Sequence, residues 1–132
     1  MRQLLLAVLI VLGFAATAQD RDGIQNAIGA QMQAFNERDL NEAWSYASPM
    51  IQRLFDNPEN FGRMVAQGYP MVWDNRDVQF MQLDEIEGLW VQVLRLRDPA
   101  GTTHVLAYQM VEIAGKWRIN GVSILPAQDL AA

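Results

Sequence analysis

The apolar positions of this chain repeat with two different periods. Ile24, Ile28, Met32 and Phe35 recur three or four residues apart, which places one apolar stripe on a helix from about Asp22 to Glu37. Asp20 or Asp22 is placed to cap its amino end. Asp39-Leu40-Asn41-Glu42 has the spacing of a capping box and opens a short second helix through Ala47, with Ala43, Trp44 and Ala47 as its apolar side. Ser48-Pro49 and Asn57-Pro58 are two further starts, each a capping residue followed by proline at the first helical position. Met50, Ile51, Leu54 and Phe55 form the stripe of the third helix, and Phe61, Met64 and Val65 that of the fourth, which stops at Gly68 ahead of Pro70.

From Asp77 the period drops to two. Asp77 to Glu85 alternates through Val78, Phe80 and Gln82, and Leu89–Arg97, Thr102–Glu112 and Lys116–Leu125 follow as strands. Glu87-Gly88, Asp98-Pro99-Ala100-Gly101 and Ala114-Gly115 are the turns between them. Connections this short make neighbouring strands antiparallel. Two strands change phase. Leu89, Val91 and Val93 share one face of the second strand, while Leu94 and Leu96 share the other. In the fourth, Trp117 and Ile119 alternate and then Val122 and Ile124 do. A β-bulge near Val93 and another at Gly121 would keep both apolar sets on the core side. Bulges bend a sheet, and a bent sheet around helices makes a cone with a pocket. The pattern predicts an α+β domain of N-terminal helices packed in a strongly bent four-stranded antiparallel sheet. Trp117, just after the last turn, is placed to close that sheet over the helices.

The first twenty residues stand apart from this plan. Arg2 precedes an apolar run from Leu4 to Val11, and Ala16-Thr17-Ala18 puts small residues where a signal peptidase reads. The run is too short to favour a membrane span, which takes about 20 residues. Residues 1–18 therefore read as a signal peptide cut between Ala18 and Gln19, and residues 19–132 as one domain. The expected location is periplasmic or secreted, with no membrane attachment after cleavage.

Composition narrows the chemistry. The chain has no cysteine, which removes disulfides, zinc–thiolate sites and a thiol nucleophile. Its 10 basic and 15 acidic residues give a formal charge of −5. Nucleic acid is a poor partner for such a chain, since phosphate backbones select clustered cations. His104 is the single histidine and sits where a turn leaves into the third strand, so it reads as a strand-end residue near solvent. Asp84, Glu85 and Glu87 flank a hairpin turn and read as a solvated tip rather than a metal site. No cofactor and no metal are expected.

Ala34-Phe35-Asn36-Glu37-Arg38-Asp39 followed by Ala43, and the closing Gly115-Lys116-Trp117-Arg118-Ile119-Asn120-Gly121-Val122, resemble the superfamily of ketosteroid isomerase and nuclear transport factor two. With Ala47-Ser48-Pro49-Met50-Ile51 and Met64-Val65 ahead of Tyr69, the chain also resembles a narrower family of short secreted bacterial proteins whose domain has no assigned function. The resemblance covers most of residues 22–125 and implies the cone of the cystatin-like fold. That fold hosts many functions. The isomerase pattern is incomplete: its donor tyrosine on the first helix is missing here, and Asp56, near where its base would stand, reads as a loop or capping residue before Asn57-Pro58.

The remaining candidates are aromatic residues with a polar tip, which line many small-molecule pockets. Trp44, Tyr46, Trp73 and Tyr108 form that set, with Arg118 and Asn120 as polar groups at the mouth of the cone. The alternatives are core packing for the aromatics and an outer sheet face for Arg118 and Asn120. The favoured function is non-enzymatic binding of a small apolar ligand or a periplasmic protein; the rival is a lyase, isomerase or hydrolase acting on an apolar substrate. The third strand is apolar on both faces, with Val105, Ala107 and Val111 opposite Leu106, Tyr108 and Met110, which predicts a homodimer. Amino-terminal sequencing of the exported protein is expected to begin at Gln19, and an intact Met1 in a membrane fraction would overturn the signal-peptide reading.

Overall fold

The computed structural model describes residues 16–126. Helices α1 (Ala18–Asn36), α2 (Leu40–Ser45), α3 (Pro49–Phe55), α4 (Pro58–Gly68) and α5 (Pro70–Trp73) precede strands β1 (Arg76–Ile86), β2 (Leu89–Arg97), β3 (Thr103–Ile113) and β4 (Lys116–Leu125). The strands form one antiparallel meander in the order β1-β2-β3-β4. The expected α+β class and helix-first order are found. The sheet does not close on itself: β1 and β4 are its two edges.

Local signals explain most boundaries. Asp39, Ser48 and Asn57 cap α2, α3 and α4, their side chains accepting from the N–H groups of Glu42, Ile51 and Asn60. α1 begins earlier than its apolar stripe, because Thr17 rather than Asp20 or Asp22 is the cap and accepts from the Asp20 N–H at 3.0 Å. Ala18 and Gln19 are thus the first helical residues, and the apolar run before Ala16 lies outside the described residues. α5 is a single turn that no sequence signal beyond Pro70 announced.

The bulges are placed differently from expectation at one of two positions. Gln109 pairs with Gly121 and Met110 with Ile119, so Asn120 is the extra residue in β4, beside the expected glycine. β2 has no bulge at Val93: it pairs with β3 in unbroken register from Trp90–Met110 to Arg97–Thr103. The irregularities sit in β1, between Arg76 and Gln79 and between Phe80 and Leu83. A bulge in an edge strand disturbs one ladder, whereas one in β2 would disturb two. In consequence Leu83, not Gln82, reaches the helix side, and Gln92 becomes a buried polar residue on that face. Its Nε2 donates to the carbonyls of Met81 and Gln82 at 3.2 and 3.3 Å, at the second bulge, and also to Val93 O at 2.8 Å. Gln25 of α1 donates to its Oε1 at 3.3 Å.

The core lies between α1 and the sheet, where Ile24, Ile28, Met32 and Phe35 meet Leu94, Leu96, Leu106, Met110 and Ile119. Trp117 packs on α1 at Gly23, where an added Cβ would stand 2.6 Å from the indole Cδ1. Trp117 also meets Trp90 edge-on at 5.5 Å. On the outer face of β3, Val105 is only 3% exposed in the single chain, and Ala107 and Val111 are half-buried. The apolar surface that motivated a homodimer is therefore smaller than the sequence pattern implied. Gln92→Leu should destabilise the fold by about 1–3 kcal/mol, because it strips the bulge carbonyls of their donor while keeping the volume. An unchanged urea midpoint would show that those carbonyls are satisfied without it.

Candidate functional site

A cavity of about 250 Å³ lies between the sheet and the helices. α1 supplies Gln31 and Phe35, α4 supplies Phe61, Met64 and Val65, and β3 and β4 close the far wall with Tyr108, Ile119 and Val122. α3 forms the outer wall through Ile51, Leu54 and Phe55. Of its apolar stripe, Ile51 and Phe55 pack partly buried against the core, and no residue of α3 is fully buried. Leu54 is 67% exposed and Met50 42%. The helix is held at its start by Ser48 and ends at Asp56, which has φ 79°. Its side chains cover a space rather than fill one.

Among the described residues, no Asp, Glu, Lys, Arg or His lines this cavity. Its polar groups are three. Tyr69 donates its hydroxyl to the Val122 carbonyl at 3.0 Å. Gln31 is buried and donates from Nε2 to the Ala43 carbonyl at 3.1 Å. Tyr108 is 1% exposed, and its hydroxyl has no hydrogen-bond partner among the described residues. Burial pushes the Tyr108 phenol well above its usual value near 10, and the neighbouring Tyr69 adds to the shift. The hydroxyl is therefore a permanent donor near neutral pH.

The six residues singled out from sequence do not converge on one site. Tyr108 lines the cavity. Tyr46 and Arg118 line a separate groove with Gly23, Asn26, Lys116 and Trp117. The Tyr46 phenol is raised by partial burial and by the Glu42 carboxylate. Trp44 packs edge-on against Phe61 at 5.6 Å, outside the cavity lining. Trp73 lies beneath Arg38, whose guanidinium carbon is 4.0 Å from the ring centre. Asn120 accepts from the Ser48 hydroxyl at 2.8 Å, in the β4 bulge. Gln31, Tyr69 and the α3 residues were not singled out. A stripe on a helix as short as α3, with one cap and no partner stripe nearby, was the available signal for them.

His104 is half-buried, and its Nε2 donates to Asp98 Oδ2 at 2.8 Å. The other Asp98 oxygen accepts from the N–H groups of Ala100 and Thr102 at 3.0 Å each. The pair thus ties the β2–β3 turn, in keeping with a structural histidine at a strand end. Asp56 is exposed as the C-cap of α3. Among the described residues no group of three metal-ligating side chains occurs.

The chain matches the family model described as Domain of unknown function (DUF4864) over residues 17–132, and it belongs to that family. No curated protein and no solved structure matches it.

The Asp98 turn gives a pH test. Its carboxyl is held below the usual value near 3.8, first by the His104 hydrogen bond and then by the Thr102 N–H. A depressed carboxyl contributes stability that is complete above its unfolded pKa and is lost as pH falls through the lower, folded one. Asp98→Asn should therefore lower the melting temperature at pH 6 and flatten its decline below pH 4. Parallel acid limbs for mutant and wild type would remove Asp98 from the account.

Proposed function

We propose that this domain binds a small, uncharged, largely apolar ligand that carries one hydrogen-bond acceptor, with the acceptor seated on the Tyr108 hydroxyl. The observation that carries the reading is that hydroxyl: fully buried, protonated and without a partner among the described residues, on a tyrosine that lines an apolar cavity. An unsatisfied buried donor costs about 1–3 kcal/mol. A carbonyl or ether oxygen arriving inside a ligand would supply the missing acceptor. The absence of charged lining residues among those described favours a neutral molecule. A cavity of 150 Å³ takes up benzene, so about 250 Å³ suits roughly ten non-hydrogen atoms. Entry is easiest past α3, where Met50 and Leu54 are exposed and no residue is fully buried.

The same reading includes export to the periplasm or beyond, supported by the signal-like residues 1–18. It also includes membership of the ketosteroid isomerase and nuclear transport factor two superfamily. Support for that comes from helices ahead of an antiparallel meander, a bulged last strand and a cavity between the two layers. A lyase, isomerase or hydrolase on this site would need a base at the cavity wall, and the described lining offers phenols and an amide instead.

The test compares acetophenone with ethylbenzene, which has nearly the same shape and no acceptor. Acetophenone should bind the wild type at least several-fold more tightly by calorimetry. Tyr108→Phe should abolish that preference while keeping ethylbenzene binding. Without ligand, Tyr108→Phe should melt at the same temperature as the wild type or higher, since it deletes an unpaired buried donor. A clear loss of stability in Tyr108→Phe would mean that the hydroxyl already has a partner, and the reading would fail.

A further inference from the structure

The outer face of the sheet carries a group of arginines that the fold does not account for. Arg76 and Arg97 stand directly opposite each other across β1 and β2, and like charges so placed destabilise a sheet. Arg95 lies two residues from Arg97 and shares its face. All three are exposed. Among the described residues the ion pairs are Arg38–Asp74 and His104–Asp98, so none of these three arginines has a carboxylate partner. A chain with 15 acidic residues and 10 basic ones has no compositional need to bring cations together.

The first bulge of β1 shapes the space beside them. The register slips between Arg76 and Gln79, and Asp77 takes φ 51°, a left-handed conformation uncommon outside glycine. A groove of about 310 Å³ results, lined by Asp77, Gln79, Arg95, Arg97 and Thr103 among others. Gln79 Oε1 accepts from Arg95 Nε at 2.6 Å. A neutral amide orients that guanidinium without cancelling its charge, and leaves its two terminal nitrogens free to donate. Thr103, the register partner of Arg97 on β3, adds a hydroxyl at the end of the groove.

We propose that this groove binds a phosphoryl group, free or as a monoester, between Arg95 and Arg97, with Arg76 beside it opposite Arg97. Two guanidiniums, those of Arg95 and Arg97, line the groove together with the Asp77 carboxylate. A phosphate monoester carries about −1.5 to −2 near pH 7 and offers three acceptor oxygens to the two guanidiniums, whereas a carboxylate offers two. Guanidinium forks match phosphate oxygens two at a time. A dianion seated on Arg97 also offsets the repulsion that Arg76 exerts on it from the opposite strand. The site lies on the opposite face of the sheet from the Tyr108 cavity, so it stands or falls independently of the ligand proposed there.

The probe is inorganic phosphate, titrated against chloride at matched low ionic strength and followed through the arginine Nε–H resonances. Phosphate should shift Arg95 and Arg97 saturably, and Arg97→Gln should weaken binding at least tenfold with the fold intact. Without phosphate, Arg76→Gln should melt at the same temperature or higher, because it removes one member of a repelling pair. Flotation with vesicles containing phosphatidic acid separates the sources. Co-flotation that Arg97→Gln abolishes assigns a lipid headgroup, and saturable phosphate binding without flotation assigns a soluble phosphate. Equal shifts in chloride and phosphate, unchanged phosphate affinity in Arg97→Gln, or a lower melting temperature for unliganded Arg76→Gln would each overturn the proposal.

Discussion

The backbone of Ile119 faces away from β3 and bonds the chain between α2 and α3. Its N–H donates to the Tyr46 carbonyl and its carbonyl accepts from the Ser48 N–H, each at 2.8 Å. Ala47 thereby forms a parallel bridge with β4. An edge strand otherwise presents unpaired donors and acceptors to any passing strand. Here the open edge is covered, and the covering segment fixes where α3 must start. Ser48 is at once the α3 cap, a partner of the Ile119 carbonyl and a donor to Asn120 in the bulge. Helix cap, covered edge and bulge are one structural unit. The cavity lies beneath α3, which that unit anchors at its start, which Gln52 ties to the Trp44 carbonyl, and whose Ile51 and Phe55 pack partly buried against the core.

A second joint holds the helical half to the start of the sheet. Asn36 and Asn75 exchange hydrogen bonds: the Asn36 amide donates to Asn75 O and Oδ1, and Asn75 N–H donates to Asn36 Oδ1. Asn75 then donates to the carbonyls of Met32 and Val72. Arg38, at φ 59°, bonds the carbonyls of Phe35 and Trp73, pairs with Asp74 and lies over the Trp73 ring. The run Asn36-Glu37-Arg38-Asp39, which carries the family resemblance, is thus a joint rather than a catalytic motif. Glu37 accepts from the Gln33 amide within α1, and the other polar groups of the run with a described partner bond backbone or a neighbouring turn.

Local rules made much of the fold legible in the sequence. Caps are short-range, so Asp39, Ser48 and Asn57 were readable from their own neighbours. The turns were readable for the same reason, and β2 and β4 begin and end where the alternation does. The bulge at Asn120 showed because it reverses the apolar phase beside a glycine. The second β1 bulge did not show, because the partner that bonds its carbonyls is Gln92 on another strand, and a lone glutamine in an alternating run carries no such mark. The candidate site was less legible still. Whether an aromatic residue lines a cavity or fills a core depends on the distance between layers, which no spacing records. Tyr108 and Trp44 therefore looked alike in sequence and part company only in three dimensions.

That divergence bears on what the unpaired hydroxyl means. Other buried polar side chains here are well provided for: Gln92 and Asn75 each make several bonds, Ser48 makes two through its hydroxyl, and Gln31 donates to Ala43. A fold that satisfies a glutamine inside a bulge has the means to satisfy a phenol. Phenylalanine would fill the same place on β3 without any need for a partner. The Tyr108 hydroxyl is thus an exception in a structure that otherwise obeys the rule for buried polar groups. Because burial also keeps it protonated, it offers a donor and never an anion to whatever enters. Under the binding function proposed above, an apolar wall with such a donor would select by the presence of an acceptor rather than by charge.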